Sequence, residues 1–216
     1  MRKFKAYSVE EYLKIIKAKS INRKIIEIHL HHTWKPTKQQ YLKSENKELV
    51  IFGMYKYHIS LGWIDIAQHA TISPDGFIWS GRDINLEPAS IKGHNENAFA
   101  IEILGNFDIE GTGEYNDMGY DELEGLQLQS TIELIKGLFE IFDTERLVFH
   151  NEYSNKTCPG TSIEKGKFLR LLKPHWAEKY FVNLNRKGIV IHERRFDDPL
   201  KRGEFFAVLN QYLKPE

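Results

Sequence analysis

The sequence predicts an α/β protein in which a central mixed β-sheet is flanked by helices, with a short α-helical segment at the C-terminus. Three observations support this fold class. Apolar runs of strand length alternate with longer amphipathic runs of helix length through the first 173 residues. Hydrophobic residues make up 41% of the 216 residues and aromatic residues 12%, which is enough to build a sizeable core. Pro174 then ends the last helical pattern, so we predict a main domain over 1–173 and a separate helical segment over 174–216.

The N-terminal part is expected to contain a helix, a strand and a helical region. Ser8 and Glu11 have the spacing of a capping box, which opens a helix that runs to about Ala18. Residues 24–31 then alternate with the period of two that is typical of a strand. Residues 37–60 follow with a helical pattern.

The rest of the chain continues this alternation. Pro74-Asp75-Gly76 is a turn signal between two short strand-like runs, 67–73 and 77–81, and therefore predicts a β-hairpin. Downstream patterns predict, in chain order, a loop at 93–97, a strand at 98–104, a helix at 121–142, a strand at 146–150, a helix at 162–172 and two short helices around a turn near 196–199.

Composition and charge exclude several classes of protein. The 30 basic and 30 acidic side chains balance, so the broad positive field of a nonspecific nucleic-acid binder is not expected. No apolar run reaches the roughly 18–20 residues of a membrane helix, and the basic N-terminus lacks the apolar stretch of a signal peptide. We therefore expect synthesis in the cytoplasm. The single Cys158 excludes an internal disulfide framework.

The sharpest chemical signal is the segment from His150 to Gly160. It places an imidazole at the end of a predicted strand and the only thiol of the chain, Cys158, eight residues later. Thiolate and neutral imidazole are preferred ligands of Zn²⁺, and a short loop lets both reach one ion. A buried Cys beside an unrelated loop His is the competing interpretation.

A second signal is the His29-Leu30-His31-His32 run at the end of the first long strand. Side chains alternate between the faces of a strand, so His31 and His32 cannot both point at one ion, whereas His29 and His31 share a face. The residues alone leave either His29 or His31 as a ligand. One of these with His150 and Cys158 makes three ligands, which leaves a fourth position for water as in catalytic zinc sites.

Two further residues have the chemistry of a hydrolytic site. Glu102 interrupts the apolar strand at 98–104, where a carboxylate is costly unless it is paired, for example with Arg82, or faces a cleft as a general base. Lys156 lies two residues before Cys158, where its ammonium would stabilise an oxyanion unless it is an ordinary surface lysine.

Together these motifs resemble the zinc-dependent N-acetylmuramoyl-L-alanine amidases of the type-2 amidase and peptidoglycan-recognition-protein superfamily. The resemblance covers about 24–172 and rests on the segments His31-His32-Thr33, 62–69, Asp75-Gly76, Gly81-Arg82-Asp83, 99–105 and 150–160. It implies that His31, His150 and Cys158 bind Zn²⁺, and it matches Lys156 to the loop lysine of the phage amidase-type lysozymes.

One position departs from part of this family. Many members carry a catalytic Tyr where this chain has Gln68, and an amide can act neither as an acid nor as a base. Other branches place a Glu in the strand that matches 101–103, and Glu102 supplies that group here. The resemblance therefore implies that Glu102 is the general base.

The implied activity is hydrolysis of the amide between N-acetylmuramic acid and L-alanine in bacterial peptidoglycan. Alternatives are a non-catalytic peptidoglycan-recognition module and a cytoplasmic amidase that recycles muropeptides; retention of Cys158 favours catalysis. The residues expected to contact the substrate are His32, Thr33, Trp34, His94, Asn97 and Asn106.

The C-terminal segment resembles one surface-layer-homology motif. That family binds anionic secondary cell-wall polymer through an Arg-x-Glu segment, which corresponds here to Arg202 and Glu204. One copy is present where three usually assemble, so a homodimer would bring copies together; a plain helical pair that docks on the main domain is the alternative. A chain without a signal peptide would reach the wall through a separate membrane pore, as phage endolysins do.

Overall fold

The computed structural model describes residues 2–109 and 119–173, together with residues 180, 183, 184, 187 and 188. The chain divides into two units, Met1–Leu172 and Lys173–Glu216, and the fold below is that of the first. Apart from these five positions, the helices predicted after Pro174, including Arg202 and Glu204, lie outside the described residues, so the domain assignment stays a prediction. No helix within the described ranges is long and apolar enough to span a bilayer.

A mixed β-sheet forms the centre of the first unit and confirms the predicted fold class. Across the described residues its strands are β1 Ala6–Tyr7, β2 Glu27–His32, β3 Ala70–Ile72, β4 Ile78–Ser80, β5 Ala98–Ile103 and β6 Leu147–Phe149. Their spatial order is β1-β4-β3-β5-β2-β6. The hairpin β3–β4 and the pair β1–β4 are antiparallel, whereas β3, β5, β2 and β6 run parallel to one another.

Within 2–109 and 119–173 the sheet is accompanied by the α-helices α1 Val9–Ala18, α2 Lys38–Lys43, α3 Lys47–Ser60, α4 Gly125–Phe142 and α5 Lys165–Leu172. The predicted capping box of α1 is present, since Ser8 Oγ accepts from the Glu11 backbone N–H and the Glu11 carboxylate accepts from the Ser8 backbone N–H. The helical region predicted at 37–60 is two helices, because Asn46 caps a new helix by accepting from the Leu49 N–H.

Several boundaries differ from those that the sequence predicts. Strand β2 begins at Glu27 instead of residue 24 and continues through His32, since its pairing with β5 extends that far. Helix α4 begins at Gly125 instead of 121, and α5 begins at Lys165 instead of 162. Strand β1 was not predicted, because two residues are too few to show a period.

The two faces of the sheet have different roles. Ile28 and Leu30 of β2 pack with Phe99 and Ile101 of β5 in the main hydrophobic core, together with residues of α1, α4 and α5. The residues that alternate with them along the two strands, which include His31 and Glu102, therefore point to the opposite face. This alternation buries the apolar side chains under the helices and leaves the polar ones for a cleft on the other face.

We predict that Gly81→Ala destabilises the fold. An added Cβ would lie 2.2 Å from the Gln68 carbonyl oxygen and 2.8 Å from that of His69, so backbone would have to move. Overpacking of this kind costs about 1–3 kcal/mol. Gly53→Ala is the matched control. Gly53 lies inside α3, and no atom lies within 4 Å of the new Cβ. The higher helix propensity of alanine should raise the free energy of unfolding by roughly 0.5–1 kcal/mol. Urea unfolding measures both, and equal effects would contradict the prediction.

Candidate active site

The cleft lies where the parallel strands β2, β5 and β6 end, which is the usual position of ligand sites in such sheets. Its volume is about 1010 Å³. His31 comes from the end of β2, Glu102 from the end of β5, and His150 directly follows β6. The walls come from the connecting loops and include Trp34, Trp63, Gln68, Ser90, Lys92, Asn95, Asp108, Tyr153, Lys156 and Cys158.

The cleft brings together His31, His150 and Cys158. One potential ligand atom from each lies within 4.8 Å of the others, and His31 Nδ1 is 3.4 Å from Cys158 Sγ. A tetrahedral Zn²⁺ with ordinary Zn–N and Zn–S bonds separates a nitrogen from a sulfur ligand by about 3.5 Å. The side chains therefore have the identity and the spacing that a three-ligand zinc site requires.

His29, the alternative ligand, is engaged elsewhere. It shares a face with His31, but its Nε2 lies 2.8 Å from Glu27 Oε1 and its Nδ1 lies 2.8 Å from Ser90 Oγ. Both ring nitrogens thus have partners, and neither is among the atoms that converge on Cys158. The geometry favours His31 over His29 in the choice that the sequence left open.

Asp108 and Gly160 shape the loop that carries Cys158. The Asp108 carboxylate accepts from the Thr157 hydroxyl at 2.8 Å and from the Thr161 N–H at 3.1 Å, so it fixes the loop on both sides of the thiol. Gly160 has a φ of +123°, and a Cβ there would lie 2.4–2.7 Å from atoms of Phe107. Only glycine allows this close approach, which turns the thiol toward the cleft.

Burial sets the protonation of the three candidate ligands. It lowers the pKa of His31 well below 6.5 and that of His150 to about 4, so both imidazoles are neutral and able to bind a cation. Burial also raises the pKa of the Cys158 thiol, although the His32 N–H donates to its sulfur and opposes this shift. Cys158 would become a thiolate when a metal ion supplies the missing positive charge.

Glu102 is a carboxyl group that forms no ion pair with any residue that the structure describes. Burial raises its pKa to about 8, and its Oε2 has no hydrogen-bond partner in the described part of the chain. The pairing with Arg82 that the sequence allowed is absent, because the Arg82 guanidinium donates to the backbone carbonyls of Asp65, Ile66 and Glu87. Glu102 lies beside His31 in the register of β5 with β2, and so on the same face.

Gln68 lines the cleft. Its Nε2 donates to the Thr71 hydroxyl at 2.7 Å, while its Oε1 has no partner among the described residues. The side chain is almost fully buried. Gln68 can therefore orient a donor in the cleft but cannot transfer a proton.

Lys156, His32 and Trp34, which the sequence suggested for oxyanion stabilisation or substrate contact, line the cleft. The positive charge of Lys156 contributes to the low pKa of His150. Trp34 has a φ of +56°, which is rare for a bulky residue, and the Lys35 ammonium lies 4.8 Å from the centre of its ring.

Four predicted substrate contacts do not line the cleft. Thr33 donates to the Pro36 carbonyl, and Asn106 is buried and donates to the Gly119 carbonyl, so both support loops. The Asn97 carbonyl accepts from the Ile26 N–H at the start of β2. His94 stacks on Tyr153, with ring centres 3.9 Å apart, at the edge of the cleft.

The sequence interpretation missed several residues of the cleft. Ser90, Lys92 and Asn95 lie in the loop before β5, and Asp108 follows the same strand. Loop residues show no period that would place their side chains. Asp108 lies five residues after the end of β5, so no local pattern in the sequence marks it.

Comparison with known proteins places this arrangement in a family. Residues 21–161 match the family model Amidase_2, described as N-acetylmuramoyl-L-alanine amidase. The chain is 27% identical over 110 residues to the endolysin of Escherichia phage T7, covering 51% of this chain and 69% of that protein. It is 29% identical over 110 residues to peptidoglycan-recognition protein SC2 of Drosophila melanogaster, covering 50% and 54%.

A solved structure has the same fold. The endolysin N-acetylmuramoyl-L-alanine amidase from Clostridium intestinale is 26% identical, with a TM-score of 0.52 over 70% of this chain and 85% of that one. The aligned part includes a central mixed sheet with flanking helices, as described above.

We predict that Glu102 makes the stability of the metal-free protein depend on pH. The pKa of Glu102 is about 8 in the folded state and 4.5 ordinarily. Between pH 4.5 and pH 8 the folded protein therefore holds a proton that the unfolded chain releases. The free energy of unfolding consequently falls as pH rises through this window. Glu102→Gln should remove this fall. Urea unfolding of both proteins from pH 5 to 8 measures it, with Glu45→Gln as an exposed control. A constant difference between wild type and Glu102→Gln would contradict the prediction.

Proposed function

The chain belongs to the N-acetylmuramoyl-L-alanine amidase family, and we propose that it cleaves the amide between the lactyl group of N-acetylmuramic acid and L-alanine by zinc-dependent hydrolysis. One observation carries the proposal: His31, His150 and Cys158 converge in a cleft that also holds the unpaired carboxyl group of Glu102. Three ligands and a nearby base are the parts that zinc hydrolases use.

The three side chains would hold Zn²⁺ through two neutral imidazoles and a thiolate. When bound there, the ion supplies Lewis-acid polarisation of the scissile carbonyl and a lower pKa for the attacking water. Asp108 and Gly160 keep Cys158 in place by fixing its loop. The protein thus presents a preformed set of ligands.

Glu102 would transfer the proton. It takes a proton from the attacking water and returns it to the nitrogen of L-alanine as the amide bond breaks. A group that must both accept and donate works best with a pKa near the working pH, and burial moves Glu102 in that direction. Lys156 would stabilise the negative charge on the carbonyl oxygen with its ammonium group.

Trp34 and Trp63 would bind the glycan or the peptide stem on aromatic surfaces. Trp63 lies against His58, with ring centres 4.9 Å apart, so it is held in place at the wall of the cleft. The positive φ of Trp34 costs free energy, and such strain is commonly retained where it positions a functional group. The cleft therefore offers two aromatic surfaces for a sugar or a peptide.

A second candidate is recognition of peptidoglycan without catalysis. It is favoured by the similarity to proteins that are named for recognition. The presence of Cys158 together with an unpaired Glu102 supports catalysis instead, since binding alone requires neither a thiol nor a base.

The C-terminal segment would target the enzyme to the cell wall. Its resemblance to a surface-layer-homology motif suggests that Arg202 and Glu204 bind secondary cell-wall polymer, and that a homodimer would raise avidity by joining two copies. We propose that the enzyme acts on the wall from within, after a separate pore gives it access.

We predict that the protein binds one Zn²⁺ per chain and that Cys158→Ser and His31→Ala lose it. Each variant removes one of three ligands from the proposed site. Elemental analysis of the purified proteins measures the zinc content. His94→Ala is the matched control, because His94 lies at the edge of the cleft and outside the ligand group. Full zinc occupancy in Cys158→Ser would refute the ligand assignment.

We predict that wild type releases new L-alanine amino termini from purified sacculi and that a chelator abolishes the release. Glu102→Gln should lose about 10²–10⁴-fold in rate while it keeps zinc, which is the usual contribution of a general base. Gln68→Ala should lose much less, because an amide transfers no proton. Wild-type turnover in folded Glu102→Gln would exclude this role, and absence of release by zinc-loaded wild type would favour recognition.

We predict that truncation after Leu172 preserves hydrolysis of a small muramyl-peptide and weakens binding to intact sacculi. The reason is that the proposed site lies within 1–172, whereas the proposed polymer-binding residues lie beyond it. Sedimentation with sacculi measures binding, and Arg202→Ala in the full chain is the matched point variant. Undiminished sedimentation of a folded truncated protein would contradict the targeting role.

A further inference from the structure

A chain of hydrogen bonds leads from His31 into the protein beneath the cleft. His31 Nε2 lies 2.5 Å from Ser90 Oγ, and Ser90 Oγ lies 2.8 Å from His29 Nδ1. His29 Nε2 lies 2.8 Å from Glu27 Oε1, and the Arg146 guanidinium donates to Glu27 Oε2 at 2.9 Å. Four polar side chains are therefore connected in series behind one candidate ligand.

Glu27 and His29 are buried within this chain, Ser90 is partly buried at the wall of the cleft, and Arg146 at the outer end is exposed. Glu27 is 5% exposed and His29 is 0% exposed, whereas the side chain of Arg146 is 53% exposed. Buried polar groups without partners are costly, so each member constrains the orientation of the next. The sheet holds Glu27, His29 and His31 on one face of β2, since they are two residues apart.

The positions of the protons along this chain follow from its outer end. Arg146 donates to one oxygen of Glu27, so the carboxylate is the accepting end and His29 donates to it from Nε2. The positive charge of Arg146 already balances the negative charge of Glu27. A second positive charge on the fully buried ring of His29 would be costly, so this imidazole is neutral. His29 thus has a single proton, and its Nδ1 accepts from Ser90.

The inner end of the chain is then determined as well. The Ser90 hydroxyl uses its one proton on His29 Nδ1, so Ser90 Oγ accepts a proton from His31 Nε2. His31 is left with a bare lone pair on Nδ1. That is the nitrogen 3.4 Å from Cys158 Sγ.

We propose that Glu27, His29 and Ser90 are positioning residues that hold His31 in the tautomer whose Nδ1 lone pair faces the metal site. The inference rests on the proposed function only in taking His31 as a ligand. A fixed partner on the second ring nitrogen of a ligating histidine sets its tautomer and its ring orientation, and its loss typically weakens metal binding roughly 10–100-fold.

Ser90 is the residue through which this control acts, and the loop before β5 holds it rigidly. Asn95 Oδ1 accepts from the Ser90 N–H at 3.1 Å and from the Ile91 N–H at 2.9 Å. The Arg23 guanidinium in turn donates to the carbonyls of Asn95 and Glu96. The hydroxyl therefore stays between the two imidazoles.

The first test reads the tautomer in the metal-free wild-type protein. Nitrogen-15 NMR of the histidine rings separates protonated from bare ring nitrogens, and His31→Gln identifies the resonances of His31. We expect a proton on Nε2 of His31 and none on Nδ1. A proton on Nδ1 of His31 in the wild-type protein would by itself overturn the proposal.

The second test measures Zn²⁺ affinity by competition with a chromophoric chelator. Ser90→Ala should bind zinc at least 10-fold more weakly than wild type and lose the preference for one His31 tautomer, and Ser90→Thr should restore both because it keeps the hydroxyl. Ser130→Ala, a buried serine of α4 outside the cleft, should bind zinc as wild type does. Unchanged zinc affinity in folded Ser90→Ala, or a Ser90→Thr as weak as Ser90→Ala, would overturn the proposal.

These readouts separate the inference from the proposed function. If wild type hydrolyses sacculi and Ser90→Ala keeps its tautomer and zinc affinity, the positioning role is wrong and the amidase activity stands. If Ser90→Ala loses zinc affinity as expected but wild type releases no L-alanine amino termini, the positioning role stands and the proposed activity is wrong.

Discussion

The parallel pairing of β2 with β5 is the constraint on which the site depends. This register sets His31 beside Glu102, and the pairing of β2 with β6 brings the end of β6, and so His150, to the same edge of the sheet. Because side chains alternate along a strand, a slip of one residue would turn His31 toward the helices and Leu30 toward the cleft. The apolar core under α1, α4 and α5 prevents that slip, because the slip would bury imidazole rings in the core without hydrogen-bond partners, at a cost in free energy. Core packing and the geometry of the site are thus set by one register.

The cleft face of the sheet has an unusual concentration of buried polar groups, and most are satisfied internally. Glu27, His29, Ser90 and His31 satisfy one another, and the ring of His69 bonds the Ala100 N–H and the Leu86 carbonyl. Among the described residues, one oxygen of Glu102 and one oxygen of Gln68 on this face accept no hydrogen bond from the protein. Both lie in the cleft, where a bound water or substrate can reach them. The unsatisfied acceptors of this face therefore lie where chemistry is proposed, which is the distribution expected of a site that is completed by its ligands.

The sequence predicted those parts of the molecule that have a local signal. The capping box of α1, the hairpin and the apolar strand around Glu102 all depend on neighbouring residues, and they are present. The segment from His150 to Cys158 was recognisable because its two donors lie in one short loop. The alternation of side chains could not decide whether His29 or His31 is the ligand, because both lie on the same face of β2. The hydrogen bonds that engage His29 come from Glu27 and from Ser90 in a distant loop. Ser90 and Asp108 were missed for the same reason: their roles depend on residues about 60 and 50 positions away, which no period in the sequence reports.

The division of the sheet into an apolar face and a polar face has a consequence for how such a protein can change over evolution. The residues of the main core under α1, α4 and α5 contribute no atoms to the cleft. Substitutions in the loops around the cleft can therefore accumulate at little cost to the core. A scaffold built in this way can exchange a hydrolytic centre for a purely adhesive one, or the reverse, by a few replacements on one side. The two sides of a single sheet would then diversify at different rates. Substitutions in the main core would have to keep the volume of the side chain, whereas substitutions around the cleft could change its chemical type.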